Sequence, residues 1–118
     1  LAPTFSSTDP IARGACDHRH REDRYTPSRK LADLIRARTA TCPAPGCGAS
    51  AIGNDLDHTE AWPGGPGTCE CNLGPPCRHH HRVKQAPGWQ LAQVKPGVMR
   101  WATPSGRVYE TRPTVYGL

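Results

Sequence analysis

Residues 57–84 read DHTEAWPGGPGTCECNLGPPCRHHHRVK, and the fold is decided there. The stretch opens on Asp57-His58, crosses a Pro/Gly-rich loop and reaches Asn72. It then enters a segment where Cys77, His80, His81 and Lys84 stand at i, i+3, i+4 and i+7. Those offsets share one face of a helix. The spacing predicts a helix over 76–85, opened by Pro75-Pro76 and closed before Pro87-Gly88. On it, Cys77 and His80 look one way, His81 and Lys84 look towards Asp57-His58, and His79 faces solvent. AIGNDLDH over 51–58 is a short strand candidate, and AWPGGPGTCECN is a loop by composition.

Upstream, Thr26 is placed to cap a helix and Pro27 to occupy its first position, with Leu31, Leu34 and Ile35 at helical spacing. The reading is a helix over 27–38, followed by the loop CPAPGCGAS. Downstream, Trp89–Val94, Val98–Thr103 and Arg107–Thr111 are strand-like. KPG and PSG turns separate them, which predicts an antiparallel meander over 89–111. Residues 1–25 form an irregular arm and 26–118 the domain proper: zinc loop 42–47, hairpin-and-helix core 51–85, then the meander. The fold class is α+β.

Composition explains why such a chain needs a metal. Leu, Ile, Val and Phe number 7, 3, 5 and 1 in 118 residues, too few for an ordinary core. Gly and Pro contribute 12 and 13, favouring turns over long elements. A small domain with so thin a core is stabilised by disulfides, a metal or a partner. No apolar run is long enough to span a bilayer. No signal peptide is visible, and a first residue other than Met suggests a piece of a longer chain with a further domain upstream. A cytoplasmic location follows from these features. The net charge is +5, and Arg outnumbers Lys 12 to 3. Guanidinium matches phosphate oxygens two at a time, so a nucleic-acid partner fits this charge better than a membrane does.

Cys42 and Cys47 form C-x4-C across a Pro-Gly turn, and Cys77 and His80 form C-x2-H. Four such ligands suit the tetrahedral preference of zinc. Six cysteines also permit a disulfide framework. Histidines clustered beside them, and no secretory signal, favour zinc. A second set separates from these: Asp57, His58, Asn72 and His81. One imidazole serves as a general base near neutral pH. A carboxylate and a second imidazole hold a divalent ion. Arg82 and Lys84 are placed for flanking phosphates, and so are Arg36 and Arg38 of the first helix.

Taken together, Cys42-x4-Cys47, D-L-D-H ending at His58, W-P-G-G, Asn72-Leu73 and C-R-H-H-H-R-V-K from Cys77 resemble an HNH endonuclease. The H, N and H fall on His58, Asn72 and His81. The likeness is strongest towards the C-terminal HNH domains of a large actinobacterial repeat family. It runs from about residue 16 onward and includes the later P-G-W and W-A-T-P-S-G-R. The resemblance implies a ββα-metal fold and hydrolysis of DNA phosphodiesters, leaving a 5′-phosphate and a 3′-hydroxyl. It makes His58 the general base, and Asp57 and His81 the ligands of Mg²⁺ or a similar ion. Asn72 braces the hairpin loop and orients the base. Cys42, Cys47, Cys77 and His80 hold structural Zn²⁺. Members of this class often have Cys where this chain has His80, so His79, Cys69 or Cys71 stands as an alternative fourth ligand. A zinc-stabilised nucleic-acid-binding module without catalysis is the competing function, and double-strand cleavage would need a homodimer or two successive nicks.

Cys16, His18, His20, Cys69 and Cys71 belong to neither set. A second zinc site drawn from them would pin the N-terminal arm to the loop before Asn72. Trp89 and Trp101 are expected in the core, and Trp62 could stack on a base.

Overall fold

The computed structural model describes residues 19–113. It is an α+β arrangement of two helices and antiparallel strands. Helix α1 spans Arg29–Arg38, strand β1 Asp57–His58, strand β2 Leu73–Gly74 and helix α2 Arg78–Lys84. Strands β3 (Gln90–Lys95), β4 (Val98–Ala102) and β5 (Val108–Thr111) close the chain.

Helix α1 starts two residues later than its sequence suggests. Ser28, not Thr26, is the N-cap, and its side chain accepts from the Leu31 N–H. Glu22 grips Ser28 in turn, through both the backbone N–H and the hydroxyl. Leu31 and Ile35, one turn apart, are buried against Leu73 and Leu56. Burying such side chains contributes about 1.5–3 kcal/mol each. Leu34 shares their periodicity but stays exposed, because α1 packs on one side only.

The strand expected over 51–58 contracts to Asp57–His58. Its first half is a turn instead: the Asn54 N–H donates to the Ala51 carbonyl, and Gly53 sits at φ +85°. Strand β1 pairs antiparallel with β2, Asp57 opposite Gly74 and His58 opposite Leu73. Between them the loop folds back tightly. Gly65 has φ +65°, and a Cβ there would lie 2.6 Å from a Glu60 carboxylate oxygen. Helix α2 then follows from an N-cap at Cys77, shorter at both ends than 76–85.

The meander forms in the order β3-β4-β5 as expected. Its inner face and the cysteine loop make the second core: Cys42, Ala44, Met99 and Trp101, with Trp89, Leu91, Cys47 and Cys77 packed on them. The Trp101 indole N–H donates to the Pro43 carbonyl at 3.1 Å. Buried Gln93 ties the meander to the hairpin: its amide donates to Thr59 Oγ1 and the Leu73 carbonyl, and its oxygen accepts from the Gly97 N–H. Among the described residues no helix is long and apolar enough to cross a membrane.

Candidate functional site

The cysteine loop is a narrow hairpin. The Cys42 N–H donates to the Ala49 carbonyl and the Cys47 N–H to the Ala44 carbonyl, which turns both thiols inward. Helix α2 brings Cys77 from its N-cap and His80 from its first turn. The donor atoms of Cys42, Cys47, Cys77 and His80 all lie within 4.8 Å of one another. His80 Nδ1 is 3.2 Å from Cys77 Sγ and 3.6 Å from Cys42 Sγ. With Zn–S near 2.3 Å, two thiolates on one tetrahedral ion stand about 3.8 Å apart, so this cluster can hold a metal ion such as zinc. His80, rather than His79, Cys69 or Cys71, completes it. His79 is exposed, as expected.

The electrostatics suit the ligand roles. Burial pushes the Cys42 thiol up to about 11, so it keeps its proton until a cation arrives. Burial raises Cys77 too. The His80 backbone N–H, the Cys42 and Cys47 side chains and the His79 backbone N–H outweigh that, and its thiol is lowered. His80 is held below the usual imidazole range by burial and by His79, which keeps the lone pair of one ring nitrogen available.

The second constellation lies on the other side of α2. His81 Nε2 is 3.0 Å from Asp57 Oδ1. Lys84 Nζ donates to Asp57 Oδ2 at 2.5 Å and to the His58 carbonyl at 2.7 Å. The Asp57 carboxylate is thereby spread between two residues of α2, one oxygen to each. A cleft of about 460 Å³ opens beside it, lined by Tyr25, Arg36, Asp55, Asp57 and His81 among others.

His58 is buried on β1. Its Nε2 lies 2.8 Å from Thr68 Oγ1. That hydroxyl has one proton, and it donates it to the Arg24 carbonyl at 2.5 Å. A carbonyl only accepts, so Thr68 is left to accept from His58 Nε2–H. Neutral His58 is thus the tautomer with its lone pair on Nδ1. Tyr25 stacks on the ring with centroids 5.1 Å apart, and Trp62 flanks it at 5.7 Å. Burial, supplemented by Lys84 and opposed by Asp57, holds the imidazole below its ordinary range.

Asn72 holds the loop through its side chain. Its amide nitrogen donates to the Glu60 and Gly67 carbonyls at 3.0 and 2.9 Å, and its oxygen accepts from the Glu60 N–H at 2.8 Å. These bonds fix both ends of the loop. The direct partners of the His58 ring are instead Thr68 and Tyr25, two residues the sequence alone did not single out.

Three cations expected on phosphate are committed internally. The Arg38 guanidinium donates to the carbonyls of Glu70 and Leu73 and to Thr39 Oγ1. Arg36 donates to the carbonyls of Ala51 and Asn54. Lys84 is held by Asp57. Each satisfies chain that turns without regular hydrogen bonding, a demand invisible in a helix-face reading. Arg82 remains exposed. Trp62 packs with Tyr25 beside His58.

The chain is similar to uncharacterized proteins of Mycobacterium tuberculosis. It is 43% identical to Rv2100 of strain H37Rv over 93 residues, covering 78% of this chain and 17% of that protein. It is 42% identical to Rv3776 of the same strain, covering 78% of this chain and 18% of that protein. The chain therefore spans under a fifth of the length of the curated relatives it matches. No family model matches it. No solved structure matches it.

Proposed function

We propose that this chain is a ββα-metal nuclease domain of the HNH type that hydrolyses DNA phosphodiester bonds. The observation that carries the reading is the convergence of Asp57, His58 and His81 across β1 and α2, beside a loop tied down by Asn72. Asp57 and His81 line one cleft, and the His58 imidazole is buried on the same strand as Asp57, under the influence of its charge. Their chemistry suits a phosphodiester.

Asp57 Oδ1 and His81 Nε2 are 3.0 Å apart. Adjacent ligands of an octahedral ion with bonds near 2.1 Å stand about 3.0 Å apart, so the pair fits Mg²⁺ or a similar ion. Bound there, the ion would neutralise charge on the phosphate and the leaving oxygen. Lys84 holds the carboxylate so that Oδ1 stays with His81. His58, its Nε2 proton turned to Thr68, presents Nδ1 to take a proton from water. A buried, neutral imidazole is suited to that task near neutral pH. Exposed Arg82 is suited to a flanking phosphate, and contacts of that kind carry no base recognition, so weak sequence preference is expected of this domain alone.

The match covers only 17% of the relative's length. The whole protein's targets belong to that context.

The test is plasmid nicking by the purified chain with Mg²⁺ or Mn²⁺, beside a His58→Ala control. Conversion of supercoiled DNA by wild type alone supports the reading. DNA binding without nicking, by a folded and zinc-loaded chain, would replace it with a zinc-stabilised binding module. Cleavage that survives His58→Ala would remove the base assignment.

A further inference from the structure

The N-terminal arm is fastened to the hairpin loop. Glu22 pairs antiparallel with Thr68, its N–H donating to the Thr68 carbonyl at 2.8 Å. His20 contacts Glu70 through Nδ1, so it does not join Cys69 and Cys71, whose sulfurs are 2.7 Å apart. Cys16 and His18 lie outside the described residues. Among the described residues, three or more ligand atoms converge only at the Cys42 cluster.

The arm delivers a different group, Tyr25, and holds it between two anchors. Before it, the Arg24 carbonyl accepts from Thr68 Oγ1 at 2.5 Å. After it, Ser28 caps α1 and is itself held by Glu22. The backbone on both sides of the ring is thus fixed, yet the residue is 63% exposed. A single exposed apolar side chain is ordinary on a protein surface. A ring fixed by its flanks and stacked over a buried histidine is not. It is ordered before any partner arrives, which lowers the entropic cost of binding.

Only one side of the ring is occupied. His58 stacks on it with centroids 5.1 Å apart, and Trp62 meets it at 6.4 Å. His58 and Trp62 are themselves 5.7 Å apart. On opposite faces of Tyr25 they would stand at nearly the sum of the first two distances, so both lie on the same side. The other side is open, and Tyr25 lines the cleft that Asp57 and His81 also line. Trp62 is committed to packing within this trio, so the open aromatic face at the site belongs to Tyr25.

An open aromatic face beside a phosphodiester site suits a nucleobase. A base is one sugar away from its phosphate, so a phosphate placed for His58 brings a base towards the ring stacked on His58. In a duplex both faces of a base are covered by its neighbours, and freeing it costs unstacking and unpairing. An unpaired base carries little of that cost. We propose that the outer face of Tyr25 is a stacking platform for one base beside the scissile phosphate, and that it makes unpaired DNA the preferred substrate of this cleft. The inference rests on the nuclease reading for the position of the phosphate. Stacking of this kind tolerates any base, in line with weak sequence preference.

The test uses the zinc-loaded full chain without added Mg²⁺, and a single-stranded oligonucleotide carrying 5-iododeoxyuridine. Irradiation should crosslink the iodinated base to Tyr25, located by mass spectrometry of the digested wild-type protein. Affinities for the unmodified single strand and its duplex are measured alongside at raised salt, where the backbone contribution is weakened. Tyr25→Leu should lower affinity for the single strand about tenfold more than for the duplex, the worth of one base–aromatic stack. Tyr25→Phe, which keeps the ring, should restore the difference. Crosslinks that fall elsewhere, or a ratio that Tyr25→Leu does not move, would overturn the platform. Nicking by the same preparation in Mg²⁺ would then leave the nuclease reading standing. Equal affinity of wild type for both forms would overturn the preference for unpaired DNA. A Tyr25 crosslink without nicking in Mg²⁺ or Mn²⁺ would keep the platform and overturn the nuclease reading. A chain that binds neither form would overturn both. Because the crosslink is read on wild type, a variant that fails to fold does not blunt the test.

Discussion

Thr68 Oγ1 accepts the Nε2 proton of His58 at 2.8 Å and passes its own to the Arg24 carbonyl. This chain of two bonds sets which imidazole nitrogen is basic. Thr68→Val keeps the shape and removes the acceptor. It leaves a buried N–H unpaired, at about 1–3 kcal/mol. The His58 tautomer is then no longer enforced, and kcat for plasmid nicking should fall about 10–100-fold, part of what a positioned general base contributes. Thr68→Ser should restore most of it. A Val variant with full kcat and an unchanged pH profile would show that Thr68 only packs.

The pH dependence follows from His58. Its folded-state value lies below the ordinary imidazole, chiefly through burial. The unfolded chain therefore takes up the proton first as pH falls. The stability linked to neutral His58 is complete above about pH 6.5 and is lost as pH drops through the folded value. The same ordering would keep the proposed base competent in mild acid. The acid limb of kcat/KM should thus fall below about pH 6.5. A limb above that would mean that another group controls the rate.

Much of this was legible because metal ligands and helix faces are local signals. Cys42-x4-Cys47 and Cys77-x2-His80 announce their convergence by spacing, and the adjacent His80 and His81 turn to two different sites. The meander was legible from KPG and PSG between alternating segments. What escaped depends on contacts distant in sequence. Thr68 reads as a loop residue until Arg24 arrives 44 positions away to take its proton. Arg38 reads as a surface cation until the turn at Glu70–Leu73 presents unpaired carbonyls to it. The strand over 51–58 was overextended because the turn at Asn54 is set by the cysteine hairpin, where the Ala51 N–H donates to the Ala40 carbonyl.

Lys84 separates positioning from phosphate binding. Its ammonium is enclosed between Asp57 and the His58 carbonyl. Lys84→Met should raise the Mg²⁺ concentration needed for half-maximal nicking, because the Asp57 carboxylate loses the contact that fixes its rotation. It should leave the salt dependence of DNA binding almost unchanged, since no phosphate contact is lost. A salt slope reduced by about one, with metal dependence unaltered, would return Lys84 to the DNA.

Arg38 makes the matching case for stability. Arg38→Met removes the donors to the Glu70 and Leu73 carbonyls. Leaving such groups unpaired costs about 2–4 kcal/mol in all. Arg38→Lys should recover part of this at most, because one ammonium cannot reproduce a planar fork. Thermal unfolding checks the loss, and DNA affinity measured below the transition should hold. A stable variant with weakened DNA binding would put Arg38 on the nucleic acid after all.

Zinc removal should unfold the chain rather than merely silence it. The Cys42 loop lies against Met99 and Trp101, the meander's buried side chains in the second core. Without an ion, three thiols and an imidazole occupy that core with little apolar packing to replace the bond energy. Structural zinc supplies about 10–16 kcal/mol in finger peptides, more than the whole stability of a typical small domain. Chelation at neutral pH should therefore abolish the cooperative thermal transition, and added Zn²⁺ should restore it where Mg²⁺ does not. Cys77→Ser should show the same loss at equal zinc. A chelated chain that still melts cooperatively near the holo temperature would mean that the apolar core suffices, and that the Cys42–Cys47–Cys77–His80 cluster has some purpose other than folding.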